Sequence, residues 1–432
     1  MYLTGRVPAL LLAGLVAVVL RPGMGTVWAW VALTVLVTLL DVALAPSPAR
    51  LGVARAPMSA VRAGETTDSV LDVHNPTTRA VRLGIRDAWQ PSAGAGTDRH
   101  RIEVPAGSTR LVRTSLTPTR RGLLSPEGVT IRTRGFLGLA GRQRTAQVPG
   151  AFRALPAFGS RRHLPSRLAL LRELDGRAAV RVRGQGTEFD SLREYVRGDD
   201  VRSIDWRASA RSRNVVVRTW QPERDRRIVL VLDTSRVSAV RVGDRPRLDA
   251  AMDAALLLGA LAGRAGDRVD FLAGDRQIRA SQRVSGRRTS AEISEAMADL
   301  NPEIAEADWR TLAGAVQARG RHRALVVLLT ALEPTAIRTG LLPVLGTLLR
   351  HHRVVVASVA DPELLELTTR FTASGQVADV YTAAAAASAI AEREDVISVL
   401  RAMGAEVIDR DPEHLAPALA DHYLALKARG LL

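Results

Sequence analysis

Two apolar runs near the amino terminus constrain this chain more than any other feature. Val7 to Leu20 is uninterrupted by a polar side chain, Arg21-Pro22-Gly23-Met24-Gly25 breaks the run, and Thr26 to Leu40 is apolar again up to Asp41, with Val42 to Leu44 beyond it. A helix crossing a bilayer needs about 20 residues, so the first run is short for a span and a signal peptide is the competing reading. No small-residue cleavage site precedes the second run, which would in any case halt transfer. Residues 1–48 are therefore read as a two-helix transmembrane hairpin. Arg6 precedes the hairpin and Arg50, Arg55 and Arg62 follow it, whereas the turn holds Arg21 alone, which predicts both ends on the cytoplasmic side. Trp28 and Trp30 sit near the outer boundary, where amphipathic rings prefer to lie.

The rest of the 432 residues is too long for one ordinary core, and 47% hydrophobic content supplies material for two or more. The absence of cysteine removes disulfides, thiolate nucleophiles and sulfur-ligated zinc. The net charge of +16 is almost wholly arginine, since Lys427 is the sole lysine. The arginines interleave with 44 acids and build no basic helix or aromatic-studded strand, which argues against a nucleic-acid partner and leaves attraction to anionic lipid as the simpler reading.

Residues 49–157 change character. Ser69 to Val73, Thr109 to Thr114 and Val129 to Thr133 alternate apolar and polar side chains, and His74-Asn75-Pro76-Thr77 and Val104-Pro105-Ala106-Gly107 punctuate them. This pattern predicts a small all-β, sandwich-like domain without an active site.

Residues 227–432 read as α/β. Ile228-Val229-Leu230-Val231-Leu232 is the continuous apolar run of a parallel strand buried on both faces, ending in Asp233-Thr234-Ser235. A helix from Leu248 to Ala265, a strand from Arg268 to Ala273 and an antiparallel edge from Gln277 to Val284 follow. Helices near Ser290 to Leu300 and Trp309 to Ala318 lead to a second central strand, Ala324 to Thr330, and Val354 to Val359 and Glu406 to Ile408 complete six strands. An open, doubly wound sheet binds ligands beyond the carboxyl ends of its strands where the order reverses. Asp233, Ser235 and Thr311 would bring one carboxylate and two hydroxyls to that edge, a hard-oxygen set suited to Mg²⁺ or Mn²⁺.

One segment carries a specific resemblance. Gly186-Thr187-Glu188-Phe189-Asp190-Ser191-Leu192-Arg193-Glu194-Tyr195-Val196-Arg197-Gly198-Asp199-Asp200-Val201-Arg202-Ser203-Ile204-Asp205-Trp206-Arg207-Ala208-Ser209-Ala210-Arg211, continued through Pro222-Glu223-Arg224-Asp225-Arg226, resembles the signature of a bacterial family called domain of unknown function 58. The resemblance implies a von Willebrand factor A-like fold for the main domain, placement in the bacterial inner (plasma) membrane, and association with MoxR-type AAA ATPases and protein clients as an adaptor or scaffold. The metal-binding members of the fold use Asp-x-Ser-x-Ser and a later strand-end aspartate. Here the matching positions are Asp233, Ser235 and Val237, with Ser238 out of register and Glu333 in Thr330-Ala331-Leu332-Glu333 as a displaced substitute, so the site is degenerate.

Within residues 158–226, the acids alternate with Arg193, Arg197, Arg202, Arg207, Arg211 and Arg218. Pairing would hold the carboxylates ionised, the opposite of a general acid, so the segment is read as an ion-pair lattice presenting a partner surface built from Glu188, Asp190, Arg193, Tyr195, Asp199, Asp200, Asp205, Trp206 and Arg211. Tyr195 and Trp206 are expected to pack the segment onto the core. An enzyme is not expected: a dehalogenase-type phosphohydrolase needs a carboxylate where Ser235 stands, and no glycine-rich loop leads into Lys-Ser or Lys-Thr. The alternatives are a metal-dependent hydrolase using Asp233 and a basic protein of membrane surfaces or nucleic acids.

Overall fold

A computed structural model describes residues 1–181, 188–212, 214–221, 226–320, 322–369 and 377–432. The molecule is a mixed α/β protein with several sheets, divided into two compact units, Met1–Leu155 and Pro156–Leu432.

The first unit opens with β1 (Tyr2–Leu3), α1 (Arg6–Leu20) and α2 (Met24–Leu44). α2 is long and apolar enough to cross a membrane, while α1 is a shorter apolar helix. The two meet where Gly14 faces Trp30: a Cβ on Gly14 would stand 2.3 Å from the indole, whose Nε1 donates to the Leu10 carbonyl at 3.0 Å. Trp30 thus serves the helix contact, and Trp28 is the exposed indole.

The strands follow from the period-two pattern. β2 (Gly52–Arg55), β3 (Thr67–His74) and, after β4 (Val81–Trp89) and β5 (Arg99–Val104), β6 (Thr109–Leu116) give one antiparallel sheet in the order β2-β3-β6. With β7 (Pro126–Arg134) and β8 (Ala140–Ala146), the second sheet runs β1-β8-β7-β4-β5. Val81, Leu83 and Ile85 of β4 enter a core with Leu71, Val73, Val112, Val129 and Ile131. Asp87 continues that buried row, a costly place for a charge unless it is paired. Arg55 meets it with two bonds of 2.7 and 2.9 Å, and Ser69 and Trp89 donate as well. Burial alone would raise the Asp87 carboxyl, and the Arg55 contact outweighs it and holds the group below its ordinary range.

The second unit contains β9 (Glu188–Glu194) and β10 (Val216–Gln221), an antiparallel pair, and then a six-stranded sheet. Its members are β11 (Arg227–Asp233), β12 (Arg268–Gly274), β13 (Ile278–Ser285), β14 (Leu325–Leu329), β15 (Arg353–Val359) and β16 (Glu406–Arg410), ordered β13-β12-β11-β14-β15-β16. All neighbours are parallel except β12 and β13. These are the six strands that the apolar runs predict, with the antiparallel edge at the expected place. Ile228, Leu230 and Leu232 of β11 pack against helices α3 (Arg247–Arg264) and the later Leu415–Ala428, whereas Val229 and Val231 join Trp309, Leu312 and Val316 of α4 (Trp309–Gln317) on the opposite face. Because β11 lies between β12 and β14 with crossovers leaving in both directions, its carboxyl end is where the order reverses.

Candidate functional site

Asp233 ends β11, and Thr234 continues the strand by donating its amide to Gly274 O at 2.9 Å. The chain then turns tightly: Asp233 Oδ1 accepts from the Ser235 amide at 2.8 Å, and Ser238 Oγ donates to the Asp233 carbonyl at 2.7 Å. From the neighbouring strand end, Thr330 Oγ1 donates to Asp233 Oδ2 at 2.6 Å. Loop 301–308 closes over this turn, with the Glu303 amide donating to Thr234 O at 2.8 Å and the Arg236 amide to Ala305 O at 2.9 Å. Asp233 and Ser235 are consequently 1% exposed. Burial pushes the Asp233 carboxyl above its ordinary range, against the lowering effect of the Thr330 and Ser235 bonds. Beside it Asp275 shows the reverse balance, since bonds from Arg279 and Thr234 outweigh its desolvation and hold it low.

The expected companions of Asp233 fall into two sets. Ser235 is brought to it, as is Thr330, which the sequence marked only as a strand end. Thr311 instead donates to Asp308 Oδ2 at 2.5 Å, in a cap where Asp308 also accepts the amides of Arg310 and Thr311. The Thr311 hydroxyl accordingly keeps Asp308 ionised at a lowered pKa. Asp308-Trp309-Arg310-Thr311 is a helix-start pattern, so this local use was readable from spacing. Glu333 likewise caps its own helix, accepting the Ala336 amide at 2.6 Å. Val237, where a second serine would supply a hydroxyl, is buried. With both Asp233 oxygens already accepting bonds and Thr311 turned onto Asp308, the residues in this arrangement do not fit a resident cation. Among the described residues no group of three or more His, Asp or Glu side chains is placed to hold a metal ion.

The signature segment has a different character. Arg193 meets Asp199 with two bonds of 2.8 and 2.6 Å, and Asp199 also accepts the Val196 amide. Asp200 accepts the Arg202 amide, and Asp205 caps the turn Trp206–Ser209 through the amides of Arg207 and Ala208 while pairing with Arg218 at 2.7 Å. Asn214 Nδ2 donates to Glu194 at 2.7 Å. The Arg193 guanidinium lowers the Asp199 carboxyl, and for Asp205 the Ala208 amide acts first and Arg218 second. Both acids are therefore held ionised, as the alternating charges predict. The side chains of Glu188 and Asp190 lie outside the described residues, as do Gly186, Thr187 and Pro222 to Asp225.

The aromatic pair departs from expectation. Tyr195 is half-buried and its amide donates to Val215 O, whereas Trp206 is 67% exposed and packs onto no core. Its turn is held by the Asp205 carboxylate and by the bonds of Ser209 to Val216, none of which engages the indole. Val196, Val201 and Val215 are exposed on the same segment. Among the described residues no ion pair engages Arg197, Arg202, Arg207 or Arg211. Asp199, Asp200 and Asp205 are engaged in local caps and pairs, and among the described residues Arg197, Arg202, Arg207, Arg211 and Trp206 are exposed beside them.

Comparison with known proteins adds one informative match: residues 191–384 match a family model described as Protein of unknown function DUF58. No curated protein matches the chain. Solved structures with partial similarity include a family 123 glycoside hydrolase from Clostridium perfringens (8% identity, 24% of this chain and 27% of that one, TM-score 0.16). A non-cellulosomal cohesin from Archaeoglobus fulgidus (10% identity, 26% and 96%, TM-score 0.17) and a FixG-related protein from Vibrio parahaemolyticus (11% identity, 23% and 94%, TM-score 0.16) are similar to the same small extent. The chain spans about a quarter of the hydrolase, and likenesses at these scores carry no argument.

Proposed function

Because residues 191–384 place the chain in the DUF58 family, we propose that it is a membrane-anchored adaptor or scaffold that binds other proteins, working with a MoxR-type AAA ATPase on protein clients. The observation that carries the reading is the exposed Trp206 surrounded in sequence by Arg197, Arg202, Arg207 and Arg211, which no ion pair engages among the described residues. Partly exposed tryptophan and arginine are the side chains that most often anchor a protein contact. The pairs Arg193–Asp199 and Arg218–Asp205 brace the same segment without engaging those arginines. A von Willebrand factor A-like, doubly wound fold for the second unit is part of the same proposal, supported by a sheet with β11 at its reversal point and helices packed on both faces.

The anchor is read as two spans in the bacterial inner membrane with both termini cytoplasmic, supported by one helix of sufficient length and by Arg6 and Arg50 flanking the apolar runs. Mg²⁺ or Mn²⁺ enters at Asp233, Ser235 and Thr311 only if Thr330 releases Asp233 and Thr311 releases Asp308. Protein binding through the signature segment does not require that exchange. A hydrolase using Asp233 would in addition need the carboxylate uncovered.

The test is capture of partners by the full chain solubilised from membranes, wild type against Trp206→Ala and Arg207→Glu. Recovery of a AAA ATPase by the wild type and its loss from both variants is the expected result. Equal recovery by all three, or recovery of none, sinks the proposal. Turnover of generic phosphate or ester substrates with Mg²⁺, abolished in Asp233→Ala, would replace it with the hydrolase.

A further inference from the structure

The turn joining β7 to β8, Gly135-Phe136-Leu137-Gly138-Leu139, is tied to both apolar helices. The Asp41 carboxylate of α2 accepts the amides of Leu137, Leu139 and Ala140 at 2.8 to 3.0 Å. From the start of α1, Arg6 donates to Leu137 O at 2.9 Å, and the Thr4 hydroxyl to Gly138 O and Leu139 O at 2.7 and 2.9 Å. Two further bonds close the turn on itself, Gly135 N to Ala140 O and Gly138 N to Gly135 O. The glycines make the close approach feasible: a Cβ on Gly135 would stand 2.2 Å from Asp41, and Gly138 adopts φ +68° beside Arg6.

Position and chemistry then converge. Asp41 lies three residues before the last residue of α2, so the turn is fastened about 5 Å inside the end of the apolar helix at 1.5 Å per residue. Phe136 is 95% exposed, the most exposed large apolar side chain among the described residues, and Leu137 and Leu3 are 47% and 58% exposed. Nearly every amide and carbonyl from Gly135 to Ala140 is bonded, an economy that water does not demand and a lipid interface does. Arg134 precedes the turn and is exposed, and Arg6 is fixed at it, both suited to phosphate headgroups.

We propose that the Gly135–Gly138 turn is a third membrane contact, in which Phe136 and Leu137 enter the headgroup and upper acyl layer of an anionic bilayer and dock the β unit against the surface. The proposal rests on the reading of α2 as a membrane span. The bonds from Asp41, Arg6 and Thr4 fix the turn to the helix ends, and insertion adds apolar burial of Phe136 and Leu137.

The absence of cysteine allows an unambiguous test. The full chain carrying Phe136→Cys, labelled with an environment-sensitive fluorophore, is reconstituted into phosphatidylethanolamine and phosphatidylglycerol vesicles. Leu36→Cys within α2 reports the span, and Leu111→Cys, 57% exposed on β6, reports the solvated sheet. Since interfacial side chains settle about 5–10 Å deep, the Phe136 label should be blue-shifted and lose about half its emission to nitroxide at the headgroup level. Leu36 should respond to nitroxide deep in the chains, and Leu111 to neither. A Leu36 label that responds while Phe136 stays in water overturns the proposal and leaves the span standing. A Leu36 label that does not respond removes the span itself. Equal quenching at Leu111 and Phe136 also overturns it, because the β unit would then lie on the lipid without a specific contact.

Discussion

Asp233 and Asp205 are the same residue type, each accepting a backbone amide two residues ahead, yet their surroundings drive them apart. Asp233 is roofed by a loop and bonded by neutral hydroxyl and amide donors, so desolvation dominates and its pKa rises. Asp205 caps an exposed turn and faces Arg218, so its pKa falls. Burial without a cation makes a stabilising knot that presents no charge outward. Exposure with a cation makes a rigid frame beside which Arg197, Arg202, Arg207 and Arg211 carry no ion pair among the described residues. Within the second unit the first carboxylate is sealed and the second stands on a segment open to solvent.

The strongest challenge to that division is at the knot. Asp233→Ala leaves the Ser235 amide and Thr330 hydroxyl buried without an acceptor, and should lower unfolding stability by about 2–3 kcal/mol in urea titration. A loss no larger than that of a surface substitution would mean the roof is loose and the site accessible. Trp206→Ala should behave conversely, costing about 2 kcal/mol of partner affinity, roughly thirtyfold, while changing stability by no more than about 0.5 kcal/mol. Calorimetry of binding and melting on one preparation reads both quantities, and a large fall in Tm would return Trp206 to the core.

Acidification sharpens the contrast, because the two carboxylates carry opposite signs. Asp199 and Asp205 have folded pKa values below the unfolded reference near 3.8. Their contribution is present above that reference and is lost as pH falls through the lowered folded values. Hydrogen exchange across 193–211 should therefore accelerate in strong acid. Asp233 is raised, so its contribution is present below the reference and is lost as pH rises through the raised folded value. Asp233→Asn should flatten that part of the stability curve, and an unchanged curve would place the wild-type carboxylate in water. The smallest effect expected is from cations. Millimolar Mg²⁺ should shift the unfolding midpoint by less than about 0.5 kcal/mol, since a ligand at a hundred times its dissociation constant would add about 2.7 kcal/mol.

Much of the architecture was legible because it rests on periodicity. The continuous run Ile228 to Leu232 demanded a strand covered on both faces, and the alternation of β4 demanded a one-sided core. Asp233 with Ser235 was legible as a strand-end pair. Thr330 was visible as a strand end but not as the donor to Asp233, because that bond spans 97 positions and depends on strand order. Thr311 was assigned across the sheet edge although Asp308, three residues earlier, offered a shorter route. Trp206 was misplaced because aromatic identity suggests burial, while exposure is decided by the backbone turn that Asp205 holds. Asp41 read as the end of an apolar run, and nothing in its neighbourhood reveals the three amides it accepts from residues almost a hundred positions later.

The pairing of β1 with β8 joins Tyr2 to Gly141 and Leu3 to Ala140. During synthesis the first of these strands emerges long before its mate, with both apolar helices made in between. Both helices are therefore complete while the partner of β1 is still missing, and this edge of the sheet can close only afterwards.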